Sequence, residues 1–98
     1  MVDEAIDFIL SLSSDTYESL YYQMPEKQRL VFLAVAREGK ASSVTGGKFI
    51  NKHKLYSASS ASSALKGLLE KDFITVDKNV YSLYDQFFAL WLRFKGMI

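Results

Sequence analysis

A mainly helical fold carrying one short β-hairpin is what this 98-residue sequence predicts. Three observations predict it. Apolar residues recur at helical spacing through most of the chain. Two β-rich tetrapeptides, Phe73–Val76 and Val80–Leu83, flank the polar turn Asp77-Lys78-Asn79. From Gly46 to Leu83 the order reads short helix, tight turn, serine-rich helix, strand, turn, strand. A helix-turn-helix followed by a two-stranded wing is a winged helix-turn-helix, here with N-terminal helices ahead of it.

Each element has its own signals. Asp3 is suited to cap a first helix carrying Ala5, Ile6, Ile9 and Leu10 on one face. Ser13, Ser14 and Asp15 are expected to break it, and Asp15 to cap a second helix with Tyr17, Leu20, Tyr21 and Met24 at i, i+3, i+4 and i+7. Pro25 stops that helix and suits the first position of a third, where a missing N–H costs nothing. Leu30, Leu33 and Ala34 follow, and Gly39 is the expected C-terminal stop. Lys40–Val44 reads as a loop or a very short strand. Thr45 is a candidate cap for a fourth helix that turns Phe49 and Ile50 inward, and Lys54-Leu55-Tyr56 makes the turn. Ser57 caps a fifth helix whose apolar face is Ala58, Ala61, Ala64, Leu65, Leu68 and Leu69. Ser59, Ser62, Ser63, Lys66 and Glu70 take the opposite face. After the hairpin, Asp85 caps a last helix with the stripe Phe87, Phe88, Leu90, Trp91 and Phe94. Gly96, Met97 and Ile98 look like a truncated end, apolar yet past the helix stop.

Composition bounds the class. A hydrophobic fraction of 49% is that of a folded domain. Seven Phe, six Tyr and one Trp are enough to fill the small core of a chain this short. There is no cysteine, so disulfides and thiolate metal sites are excluded. The acidic start lacks the basic and apolar regions of a signal peptide, and no apolar run reaches the roughly 18 residues of a membrane span. A cytoplasmic setting without membrane contact is expected.

The net charge of +1 hides a division. Met1–Glu26 holds six acids and no base, whereas Lys27–Ile98 holds twelve bases against five acids. Lys40 to Lys66 contains five lysines and no acid. Such a segment can steer a polyanion to one face, and it also serves plain solubility.

Catalytic chemistry finds no set of residues. His53 is the single histidine, without a second metal ligand or a nucleophile at a recognisable spacing, and reads as structural. Gly46-Gly47-Lys48 resembles a fragment of a phosphate loop, but Ser42 stands where that loop needs its first glycine and Phe49 where it needs Ser or Thr. No enzyme activity, metal or cofactor is expected. The aromatic stripe of the last helix could stack on single strands, but its helical spacing reads as core.

Nucleic-acid binding is the first functional expectation. Ser59, Ser62, Ser63 and Lys66 would enter a groove on the fifth helix, because small hydroxyls allow close approach. Lys48, Lys52 and Lys54 would flank it and neutralise phosphates, with Lys78 and Asn79 touching from the wing tip. The outward face carries no Arg, Asn or Gln, the types that read bases bidentately, so weak backbone binding to DNA is expected rather than sequence readout. The alternative is a protein-interaction or regulatory module, supported by the aromatic excess.

Three strings carry a family resemblance: Met-Pro-Glu-Lys-Gln-Arg-Leu-Val (Met24–Val31), the serine-rich Ser57–Lys71, and Tyr81–Leu92, within which Asp-x-Phe-Phe-x-x-Trp at Asp85–Trp91 is the most specific. Together they resemble the C-terminal winged-helix region of AAA+-superfamily P-loop ATPases of the archaeal-type family, over roughly Tyr17–Lys95. The resemblance implies a fragment of a longer protein. Residues 1–24 would be the end of a helical lid and residues 25–98 the winged-helix domain. It implies the parent's ATPase domain as a partner and leaves room for a homo-oligomer. ATP hydrolysis does not carry over, because the phosphate loop is absent from this sequence.

Overall fold

The computed structural model describes residues 2–98, with side chains described for Phe8 and from Ser14 onward. The elements are α1 (Val2–Gln23), α2 (Glu26–Glu38), α3 (Gly47–His53), α4 (Ala58–Glu70), β1 (Ile74–Asp77), β2 (Val80–Leu83) and α5 (Gln86–Phe94). This is the winged helix-turn-helix order that the sequence predicts.

The N-terminal region differs from expectation. Val2–Gln23 is one helix of 22 residues, and Ser13–Asp15 does not break it. Serine and aspartate cost a helix interior only about 0.5 kcal/mol each, against the 3 kcal/mol or so of a proline. Packing outweighs that cost: the Trp91 indole Nε1 donates to Ser14 Oγ at 3.2 Å. One turn on, Tyr17 lies 4.8 Å from Phe88 and 6.1 Å from Trp91 between ring centroids. Ser14 is therefore a mid-helix residue that meets α5, while Asp15 is exposed on the same helix. The predicted capping by Asp3 falls on side chains outside those described.

Pro25 precedes α2 as its N-cap, with φ −56° and ψ 150°, rather than filling the first helical position. Gly39 ends the helix at φ 75°, a left-handed conformation that suits glycine, and its N–H returns to Ala36 and Val35. Ala41 then forms an isolated bridge with Tyr81, exchanging bonds of 2.8 and 2.7 Å, so the short strand expected near Lys40–Val44 is a single rung against β2. β1 and β2 pair antiparallel from Ile74↔Leu83 to Asp77↔Val80. Phe73 lies just outside β1, and Asp77 belongs to the strand. The turn is only Lys78 and Asn79, both left-handed at φ 51° and 65°, as a tight two-residue hairpin requires.

α2, α4, the hairpin and α5 enclose one core. Phe32, Leu68, Trp91 and Leu92 are fully buried within it, each contributing about 1.5–3 kcal/mol through apolar burial. Phe88 lies between Phe32 at 4.8 Å and Trp91 at 5.8 Å, in edge-to-face contact with both. The aromatic stripe of α5 splits: Phe88 and Trp91 are core, while Phe87 and Phe94 are 47% and 48% exposed. Met97 and Ile98 pack against the core after Gly96 turns the chain back at φ 75°.

Tyr17 also joins α1 to the cap of α5. Its hydroxyl donates to Asp85 Oδ2 at 3.0 Å, and Asp85 accepts from the Phe87 N–H at 2.9 Å. Burial first, then the Asp85 carboxylate, pushes the Tyr17 phenol up to about 12. Raising the folded value stabilises the neutral form, so this stability is complete below pH 10, the unfolded phenol's value, and lost as pH rises toward 12. Wild type should therefore lose stability steeply above pH 10, and Tyr17→Phe should flatten that limb, as read by urea midpoints from pH 8 to about 11.

Candidate nucleic-acid interface

α4 is built as a presented helix. Ser57 caps it by accepting from the Ser60 N–H at 3.1 Å. Ala61, Ala64, Leu65 and Leu68 are its buried residues. Leu69 is half-buried and Ala58 exposed, which corrects the apolar face assigned to Ala58. The first turn of a helix can project past the body it packs on, and there even an alanine meets solvent. Ser59, Ser62, Ser63 and Lys66 are all exposed on the side away from the core.

These four share a helix face but not one concavity. Ser59 and Ser63 line an open groove of about 300 Å³ with Pro25, Lys27 and Gln28 at the start of α2. At Gly67 a Cβ would meet Gln28 Nε2 of α2 at 2.5 Å, so the glutamine side chain lies over α4 there. On the other flank, Asn79 shares a hollow of about 330 Å³ with Leu65 of α4 and with Ser43, Val44, Thr45 and Tyr81. The wing tip thus comes beside the middle of α4.

The lysines ahead of α4 sit on the loop and on α3. Gly46 is the N-cap of α3, in place of the expected Thr45, with no side chain closing the first turn. A Cβ on Gly46 would stand 3.1 Å from the Ser43 carbonyl oxygen, tight for any residue but glycine. Lys54 ends α3 in the left-handed region at φ 55°, exposed. Lys48 and Lys52 line a hollow of about 410 Å³ with Lys40, Ser42, Ser43 and Glu38. Lys40 also lines the outer face of the hairpin with Lys78. Lys40 thus stands between two of the predicted phosphate contacts, and sequence reasoning did not select it. The signal was present, since Lys40 opens the acid-free segment, but only the Ala41–Tyr81 rung brings it to the wing.

Lys52 differs from the other lysines. Its ammonium is 2.7 Å from Glu38 Oε1, and His53 Nε2 reaches the same oxygen at 2.9 Å. Among the described residues, ion pairs occur at Glu38 only. Lys52 is therefore already engaged within the fold. The His53 side chain is 5% exposed and its ring lies 4.6 Å from Phe49, the structural role expected of it. The hydrogen bonds from Lys52 and then His53 hold the Glu38 carboxyl below its ordinary value. A lowered carboxyl contributes stability above its unfolded value of 4.5 and loses it as pH falls through the folded one. Glu38→Gln should remove that acid-side dependence while freeing Lys52, a change visible in thermal midpoints compared at pH 3 to 6 or so.

Tyr56 was not selected from the sequence either. It is 62% exposed just ahead of α4, with Lys27 Nζ 5.4 Å over its ring and its hydroxyl donating to Glu26 at 3.2 Å. No group of three or more metal-ligating side chains occurs among the described residues, and no helix there is long and apolar enough to cross a membrane.

A family model described as a probable winged helix domain matches residues 15–94, which covers most of the chain and begins within α1. No curated protein and no solved structure matches it.

Proposed function

The chain belongs to this probable winged helix domain family, and from that premise we propose that it binds duplex DNA mainly through the phosphate backbone. The observation that carries the reading is the placement of exposed lysines that no ion pair engages. Lys48, Lys54, Lys66 and Lys78 are exposed, and none has an ion-pair partner among the described residues. They belong to α3, its end, α4 and the wing tip, the parts of this fold that present a helix to a groove and its flanking phosphates. Ser59, Ser62 and Ser63 make the helix face slim enough for close approach, and Asn79 offers an amide beside it. Lys52 contributes less, because Glu38 competes for it. The face lacks bidentate base readers, so discrimination between sequences is weak. The reading needs no catalysis and no cofactor. NMR titration with a random-sequence duplex tests it. Amide shifts should concentrate between residues 45 and 66 and at 78–79, and shifts confined to α1 and α5 would contradict it.

A second reading, a docking or regulatory module, is favoured by the exposed aromatics Phe87, Phe94 and Tyr84, the last 64% exposed. The strings at Met24–Val31, Ser57–Lys71 and Asp85–Trp91 support an AAA+-type ATPase parent, whose ATPase domain is the partner this reading names. The change of charge sign near residue 25 supports a functional division there, an acidic helix ahead of a basic unit. The lack of cysteine is compatible with the cytoplasm for either reading.

A further inference from the structure

Two solvent-facing rows remain that DNA binding does not use, and they are complementary to each other. Phe8, Asp15 and Tyr22 recur every seven residues along α1, and Glu18 falls beside them. Phe8 is 65% and Tyr22 56% exposed, so the row is aromatic with an acidic centre. On α5, Phe87 and Phe94 are also seven residues apart and stand exposed, with exposed Arg93 and Lys95 beside the second. That row is aromatic with a basic end. Large exposed aromatics in rows on two packed helices are unusual for a surface meant only for water.

We infer that these rows meet between two copies of this chain, α1 of each against α5 of the other. This rests on the exposed aromatics of the docking reading and assigns them to a second copy of this chain in place of an ATPase domain. In a twofold pair every contact occurs twice, so a surface with an acidic aromatic row and a basic aromatic row is complementary to its own copy. Asp15 and Glu18 of one copy then face Arg93 and Lys95 of the other. The aromatics supply the desolvated centre, and the charges select the register. The lysines of α3, α4 and the wing are left free, so two groove-facing helices would be displayed by one particle.

Sedimentation velocity of the 98-residue chain at low salt, from micromolar to hundreds of micromolar, tests this directly. Wild type is expected to form a concentration-dependent dimer. Asp15→Lys with Glu18→Lys should weaken the dimer at least about tenfold, as should Arg93→Glu with Lys95→Glu. All four positions are exposed, so circular dichroism should show both variants folded. Mixed in equal amounts, the two variants should restore a dimer, because each acidic row again meets a basic one. A strictly monomeric wild type overturns the inference and leaves DNA binding untouched. A dimer insensitive to both charge reversals, or not restored on mixing, overturns it equally, because the contact then lies elsewhere.

Discussion

Trp91→Ala should lower stability by about 3–5 kcal/mol, the largest single-residue effect expected in this domain. Trp91 is fully buried. Its ring contacts Tyr17, Tyr21 and Phe88 at centroid distances of 6.1, 6.1 and 5.8 Å, and its indole N–H is satisfied by Ser14. Removing it empties the junction where α1, α5 and the hairpin side of the core meet. It also leaves the Ser14 hydroxyl without its donor. Domains of this size have only about 5–15 kcal/mol in total, and each kcal/mol moves Tm by roughly 4–8 °C. The variant should therefore melt about 12–40 °C lower, with α1 the first element released. Phe87→Ala on the same helix is the internal control: at 47% exposure it should stay within about 1 kcal/mol of wild type. Equal losses in the two variants would contradict the division of the α5 stripe into a core half and a surface half.

Combined reversal of Lys48, Lys66 and Lys78 to Glu should nearly abolish duplex binding. Each exposed lysine that neutralises one phosphate adds roughly one to the slope of log affinity against log salt. Losing three should flatten the slope by about three and reduce low-salt affinity at least about a hundredfold. The fold should be unchanged, because all three side chains are exposed and hold no ion pair among the described residues. Reversal of Lys52 should act differently. Its partner Glu38, 2.7 Å from the ammonium in the wild type, would then face a like charge, so stability falls along with binding. Triple Ser59, Ser62 and Ser63 to Ala should leave the salt slope unchanged, since hydroxyls release no counterions.

The fold was legible where local chemistry and packing agree. Ser57 and Asp85 are caps in both sequence and structure, and the hairpin lies where two β-rich tetrapeptides placed it, with the first strand shifted by one residue and Asp77 moved from the turn into it. Reading failed where tertiary contact overrode a local signal. Ser13–Asp15 carries cap-type residues, yet Trp91 reaches across 77 positions to Ser14 and holds the helix through them. Thr45 has the better cap side chain, but the close Ser43 carbonyl selects Gly46. The candidate face was legible as a set of lysines, not as a geometry. Nothing local to Lys52 reveals that Glu38, 14 positions earlier, already holds it. Lys40 likewise reaches the wing only through the rung between Ala41 and Tyr81, which joins residues 40 positions apart.

The central claim is that the surface carrying Lys48, Lys54, Lys66 and Lys78 is a duplex-binding face that works through phosphates. Fluorescence anisotropy of a labelled random-sequence duplex, titrated with this chain at about 50 and 200 mM salt, tests it most directly. The account predicts clear binding at the lower salt that weakens at least about tenfold at the higher. No binding at the lower salt, or binding indifferent to salt, would contradict it.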